Sequence, residues 1–117
     1  FKQKTAYEIR LSLVGSEMCK ETGYEFHYAL YETGSFYTKH LDQFRNNDSR
    51  KYSMILYLNT DWKEPDGGEL RIFQNNSQQD IAPLNGTSVF FKSSELLHEV
   101  LLTNRPRMSI TGWLKVN

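Results

Sequence analysis

At 117 residues the chain can build one hydrophobic core and sits toward the small end of single-domain sizes. Fourteen basic residues balance fourteen acidic ones, so no cationic excess points to nucleic acid and no basic cluster points to an anionic membrane surface. No apolar run approaches the roughly 18 residues a membrane helix needs, and Cys19, the single cysteine, excludes an intrachain disulfide and favours a reducing, cytoplasmic setting.

In chain order, residues 6–20 are the best helix candidate, with Ile9, Leu13 and Met18 as its apolar positions and Gly15 weakening it. Seven Tyr, seven Phe and two Trp favour strands elsewhere. Residues 24–31 read as a strand, Glu32-Thr33-Gly34-Ser35 as a turn, and Phe36 to Asp42 as a second strand. The segment from Arg45 to Arg50 is polar and loop-like. Tyr52 to Asn59, with Met54, Ile55, Leu56 and Leu58, reads as a strand buried on both faces. A turn containing Pro65 and Asp66-Gly67-Gly68 precedes a short strand, Glu69 to Phe73, and Asn75 to Gln79 reads as a polar loop. Pro83-Leu84-Asn85-Gly86 is a turn with an Asn-Gly signal for positive φ. Strands are then expected at Thr87 to Phe91, His98 to Leu102 and Arg107 to Val116. So many short strands between regular turns predict a mainly β barrel or sandwich.

His40-Leu41-Asp42 stands 58 residues before His98, and Arg107 follows nine residues later. Two imidazoles and one carboxylate form a facial triad suited to non-haem Fe(II), with other coordination positions open. On a strand, residues i and i+2 share a face, so His40 and Asp42 can grip one ion while Leu41 points away into packing. His98, from a distant strand, would close the site. A lone His-x-Asp triplet arises often by chance; here two of only three histidines fall in the pattern. The third, His27, lies in an aromatic run with Tyr24, Phe26 and Tyr28 and reads as a packed or hydrogen-bonded strand residue. Ser109 shares a face with Arg107, and an Arg beside a hydroxyl is a good bidentate receptor for a carboxylate. The plainer reading of Arg107 alone is a surface ion pair.

Taken together, the run from Tyr31 to Asp42, the segment Arg50 to Asn59, Gly67-Gly68-Glu69-Leu70, His98-Glu99-Val100, Arg107-Met108-Ser109 and Gly112-Trp113 resemble the Fe(II)/2-oxoglutarate-dependent dioxygenases. They are most similar to the prolyl 4-hydroxylase-like group, which includes the hypoxia-factor prolyl hydroxylases and bacterial relatives. The resemblance implies a double-stranded β-helix (a cupin-like jelly roll) with a short N-terminal helix, forming a single catalytic domain over residues 1–117. It implies Fe(II) on His40, Asp42 and His98, with 2-oxoglutarate and O2 as cosubstrates and ascorbate as an auxiliary reductant. Arg107 would pair with the distal carboxylate of 2-oxoglutarate, assisted by Tyr57 and Ser109; Tyr31 would line the same pocket. Tyr57 reads equally well as a core aromatic. Arg50 and Trp113 would lie near the substrate mouth, although Arg50 also reads as a solvated loop charge and Trp113 as core.

The implied reaction hydroxylates a C–H bond and releases succinate and CO2. The implied substrate is a prolyl residue in a protein or peptide, with a free amino acid or other small molecule as the alternative. Arg107, where collagen-type enzymes usually carry Lys, favours the hypoxia-factor-like branch. Trp113, where nucleic-acid demethylases usually carry a second Arg, argues against nucleic acid. The N-terminus supplies less helical sequence than these domains usually have, so a supporting segment is expected to be missing. From other classes, a zinc hydrolase would use the same triad but gives Arg107 and Ser109 no role. A non-catalytic β-barrel binding module would leave the filled ligand positions unexplained.

Overall fold

A computed structural model describes residues 2–5, 22–43 and 50–116. The helix expected over 6–20, and most of the loop expected from Arg45, lie outside the described residues. The strands are β1 (Lys2–Thr5), β2 (Thr22–Tyr31), β3 (Tyr37–His40), β4 (Arg50–Tyr57), β5 (Leu70–Gln74), β6 (Ser77–Ile81), β7 (Thr87–Lys92), β8 (Leu97–Val100) and β9 (Arg107–Val116). One sheet runs β1-β7-β4-β9-β2 and the other β3-β8-β5-β6, with every pairing antiparallel. The chain thus forms the expected mainly β jelly roll, two sheets facing each other across one core.

The alternation of side chains along each strand decides what lies between the sheets. Ile55 and Tyr57 of β4, Leu70 and Ile72 of β5, and Val89 and Phe91 of β7 all turn inward and are buried together. β4 also buries Met54 on its other face, against Leu114 and the half-buried Phe90, as its near-continuous apolar run predicts. No helix among the described residues is long and apolar enough to cross a membrane.

Two local expectations are corrected. The polar segment Asn75 to Gln79 is not a loop. Asn75 and Asn76 adopt positive φ of 53° and 63°, the shape of a tight two-residue hairpin turn, and the chain returns as β6. β6 is an edge strand whose residues before Ile81 are exposed, so nothing forces apolar alternation on it. The strand expected from Phe36 to Asp42 is shorter. It ends at His40, leaving Leu41 and Asp42 in a bend held by the Gln43 N–H donating to the Ser93 carbonyl at 3.1 Å.

Phe26 of β2 lies flat on Gly112, its partner across the ladder, and a Cβ at residue 112 would collide with the ring. Gly112→Ala should therefore lower the free energy of unfolding by about 1–3 kcal/mol, as overpacking does. Urea melts of this variant, of Phe26→Ala and of the double variant should give a strongly non-additive cycle; simple additivity would disprove the contact.

Candidate active site

The pairing of β3 with β8 sets His40 directly opposite His98. Residues opposed in this way carry Cβ atoms about 5 Å apart on one face, and the two imidazoles meet with ring centroids 4.3 Å apart. Both rings are held alike. His40 Nδ1 lies 2.7 Å from the Thr38 carbonyl and His98 Nδ1 lies 2.8 Å from the Leu96 carbonyl. A carbonyl only accepts, so each Nδ1 carries a proton, which leaves each Nε2 to present a lone pair to a metal ion or, when it too is protonated, to donate to a carboxylate. Both Nε2 atoms point at one carboxylate oxygen, Asp42 Oδ1, at 3.4 Å from His40 and 3.1 Å from His98. The Trp113 indole N–H donates to the other oxygen, Oδ2, at 3.1 Å.

Asp42 therefore joins the site from the bend after β3, not from the strand. Leu41 is exposed and lines the cavity instead of packing away from it. Burial works to raise the Asp42 carboxyl, but hydrogen bonds from His40 and His98 outweigh it and hold the group well below the usual carboxylate range. Burial works to lower His40, and the bonds to Asp42 and Thr38 reverse this and raise it. The donor atoms of the three side chains all lie within 4.8 Å of one another. Ligands about 2.1 Å from a small divalent ion, at right angles, stand about 3 Å apart. The three residues fit such an ion on one side and leave its other side to the cavity.

That cavity, about 380 Å³, runs between the sheets. One of its walls is a single row from β9: Arg107, Ser109, Thr111 and Trp113, alternate residues facing inward. β2 supplies Tyr31, Ala29 and His27, paired in turn with Arg107, Ser109 and Thr111. Arg107 is 2% exposed, so it is no surface charge. Its Nε donates to the Gly68 carbonyl at 2.7 Å and its Nη2 to the Tyr57 hydroxyl at 3.4 Å. Gly68 permits this approach, with φ of 68° and no room for a Cβ against Arg107 and Thr103. No carboxylate among the described residues forms an ion pair with this guanidinium. The rings of Tyr31 and Tyr57 lie about it at 5.1 and 5.0 Å. Burial pushes both phenols up despite the neighbouring charge, so both stay protonated and able to donate.

Arg50 and Trp113, expected near the substrate mouth, both line the cavity and lie against each other. The Arg50 guanidinium lies 3.9 Å over the Trp113 ring and donates to the Asp42 carbonyl at 3.3 Å. Trp113 is buried and braces the carboxylate. Sequence reasoning missed Tyr37 and Thr111 in the cavity wall; His27, read as a packed or hydrogen-bonded strand residue, does stand on β2 against Trp113 but also lines the cavity. The two-residue rule that linked Ser109 to Arg107 would have found Thr111, and the same parity links His27 to Tyr31. It would have misplaced Tyr37, three residues from His40. A register shift between them brings their rings to 4.0 Å.

The model of the 2OG-Fe(II) oxygenase superfamily matches residues 26–115. The chain belongs to that superfamily. Fe(II) is the metal of these oxygenases, and 2-oxoglutarate and O2 are their cosubstrates. The oxygenase chain is 39% identical over 84 residues to Egl nine homolog 1 of Rattus norvegicus, an alignment covering 68% of this chain and 25% of that protein. A prolyl-4-hydroxylase structure from Pseudomonas putida superposes with a TM-score of 0.82 at 41% identity, covering 95% of this chain and 63% of that one. A prolyl hydroxylase from Trichoplax adhaerens, solved with a hypoxia inducible factor oxygen degradation domain peptide fragment, gives 0.79 at 28% identity, covering 95% and 56%. The oxygenase chain thus spans about a quarter of its curated relative and under two thirds of these two structures.

Two outcomes follow for the oxygenase site. With metal removed by chelation, the ionised Asp42 carboxylate stabilises the fold above about pH 4, and this is lost as acid protonates it; protonated His40 contributes below about pH 6.5 and is lost as pH rises. Urea midpoints of the chelated protein should therefore peak between those values, and Asp42→Asn should flatten the peak. Trp113→Phe, which removes the N–H from Oδ2, should weaken Mn(II) binding by about 10–100-fold in calorimetry.

Proposed function

We propose that the chain catalyses Fe(II)- and 2-oxoglutarate-dependent hydroxylation of a prolyl residue in a protein or peptide, releasing succinate and CO2. The observation that carries the reading is the buried guanidinium of Arg107, without a carboxylate partner among the described residues, on the same cavity as His40, Asp42 and His98. Burying a cation alone is costly, and a ligand carboxylate offsets that cost with two parallel hydrogen bonds.

In this reading His40 Nε2, His98 Nε2 and an Asp42 oxygen hold Fe(II). When bound, the metal supplies the activation of O2 that the side chains cannot perform themselves. Arg107 grips the distal carboxylate of 2-oxoglutarate, and the protonated hydroxyls of Tyr57 and Ser109 flank that carboxylate as donors. Register favours this grouping, since Tyr57 and Ser109 are cross-strand partners. Tyr31 covers the guanidinium from β2. Ile55, Leu70 and Val100 line the cavity with apolar surface and keep water from the reacting centre. Trp113 and Arg50 brace Asp42 from outside, keeping its carboxylate aimed. A hydrolase would need a general base beside the metal, and Asp42 is the one acid lining the cavity among the described residues. The relatives' activity on prolyl groups, and the peptide in the Trichoplax adhaerens complex, support a prolyl residue within a peptide.

Incubation with Fe(II), 2-oxoglutarate and proline-containing peptides should yield succinate and a gain of one oxygen on a prolyl residue; output no greater than that of His98→Ala would defeat the proposal. Arg107→Met should weaken 2-oxoglutarate binding by about 10–100-fold, the loss of a charged hydrogen-bond pair, while leaving Mn(II) affinity within twofold.

A further inference from the structure

One histidine of the three is left outside the triad. His27 stands on β2 on the face that also carries Ala29 and Tyr31, and it lines the cavity. Its ring tilts against the Trp113 indole at a centroid distance of 4.9 Å. The triad histidines each use Nδ1 on a backbone carbonyl. Among the described residues, neither ring nitrogen of His27 has a hydrogen-bond partner. The imidazole thus packs against the indole beside it, and both ring nitrogens are left without a partner in a residue that lines the cavity.

The β2–β9 register shows how far along the cavity it lies. Tyr31 is opposite Arg107, Ala29 opposite Ser109 and His27 opposite Thr111. Four residues of antiparallel strand advance about 13 Å. His27 therefore stands well along β2 from the residue opposite Arg107, away from the guanidinium end of the cavity. It lies on the side where Trp113 bonds Asp42, at the end of the cavity left for the molecule that is hydroxylated.

A prolyl residue has no backbone N–H of its own, so the peptide bond that contains its nitrogen offers only a carbonyl acceptor. The cavity wall must answer it with a donor. We propose that His27 is a specificity-determining residue whose ring N–H donates to a backbone carbonyl of the peptide next to the target prolyl, with the Trp113 indole holding the ring in place. This rests on the reading of the site as a prolyl hydroxylase.

The test uses the Fe(II)-loaded protein and a library of short peptides, each with one proline in varied flanks. His27→Phe keeps a ring against Trp113 and removes the donor; His27→Gln keeps a donor. For the best peptide, His27→Phe should raise KM about five- to tenfold, the value of one hydrogen bond, with the KM for 2-oxoglutarate unchanged and His27→Gln restoring most of the loss. A second readout needs no turnover: with Zn(II) in place of Fe(II), the His27 ring-proton resonances, assigned by their loss in His27→Gln, should move on adding the peptide and stay still on adding 2-oxoglutarate. Hydroxylation with wild-type peptide KM in both variants, or a ring signal that follows 2-oxoglutarate and not peptide, overturns the role of His27 alone. A library in which no peptide gains oxygen removes the peptide-hydroxylase reading and this inference with it.

Discussion

The cross-strand pair of His40 and His98 is the constraint on which the site depends. An antiparallel ladder fixes the separation and facing of opposed residues by backbone hydrogen bonds, so two imidazoles placed in register converge without help from a flexible loop. Each ring is then turned by its own stretch of chain, through the carbonyl two residues before it. Asp42 completes the group only because the chain leaves the strand after His40 and is caught at Gln43 by Ser93. A straight continuation of β3 would carry the carboxylate further along the sheet edge.

Opposite this pair, β9 acts as a ruler. Its alternate residues place Arg107, Ser109, Thr111 and Trp113 at equal steps along the cavity, and its position between β4 and β2 holds that spacing from both sides. Asn59 locks the start of the strand, accepting from the Met108 N–H at 2.7 Å and donating to the Met108 and Pro83 carbonyls. The charges follow the same axis. A buried cation stands at one end, a buried carboxylate held ionised by imidazoles at the other, and neutral donors between. Such a polarity matches a diacid reaching from the guanidinium toward a metal.

Much of this was legible in the residues themselves. Nearly every strand betrayed itself by aromatic and β-branched content between Gly, Pro and Asn turns, because a pleated, half-buried surface selects those side chains. β1 and β6, both at sheet edges, did not; the exposed residues of β6 place no apolar demand on its sequence. The triad residues stood out by type and scarcity, and Ser109 followed from Arg107 by parity. Parity failed at Asp42, where the strand had already ended, and at Tyr37, where a register shift breaks the two-residue count. The burial of Arg107 was invisible in one dimension, because it depends on Gly68 and Tyr57, 39 and 50 residues earlier in the chain.

By itself, then, the order of residues determined the local periodicities, the turn positions and the chemical identity of the groups available for metal and carboxylate binding; these are properties of neighbours along the chain. Only the tertiary structure decided which of those groups meet. Register between strands far apart in sequence brought His98 to His40, laid Trp113 against Asp42, enclosed Arg107 and left His27 open to the cavity. The physical reason is that a ladder aligns residues by backbone hydrogen bonds across the sheet, and no pattern within a single strand records which partner it will face.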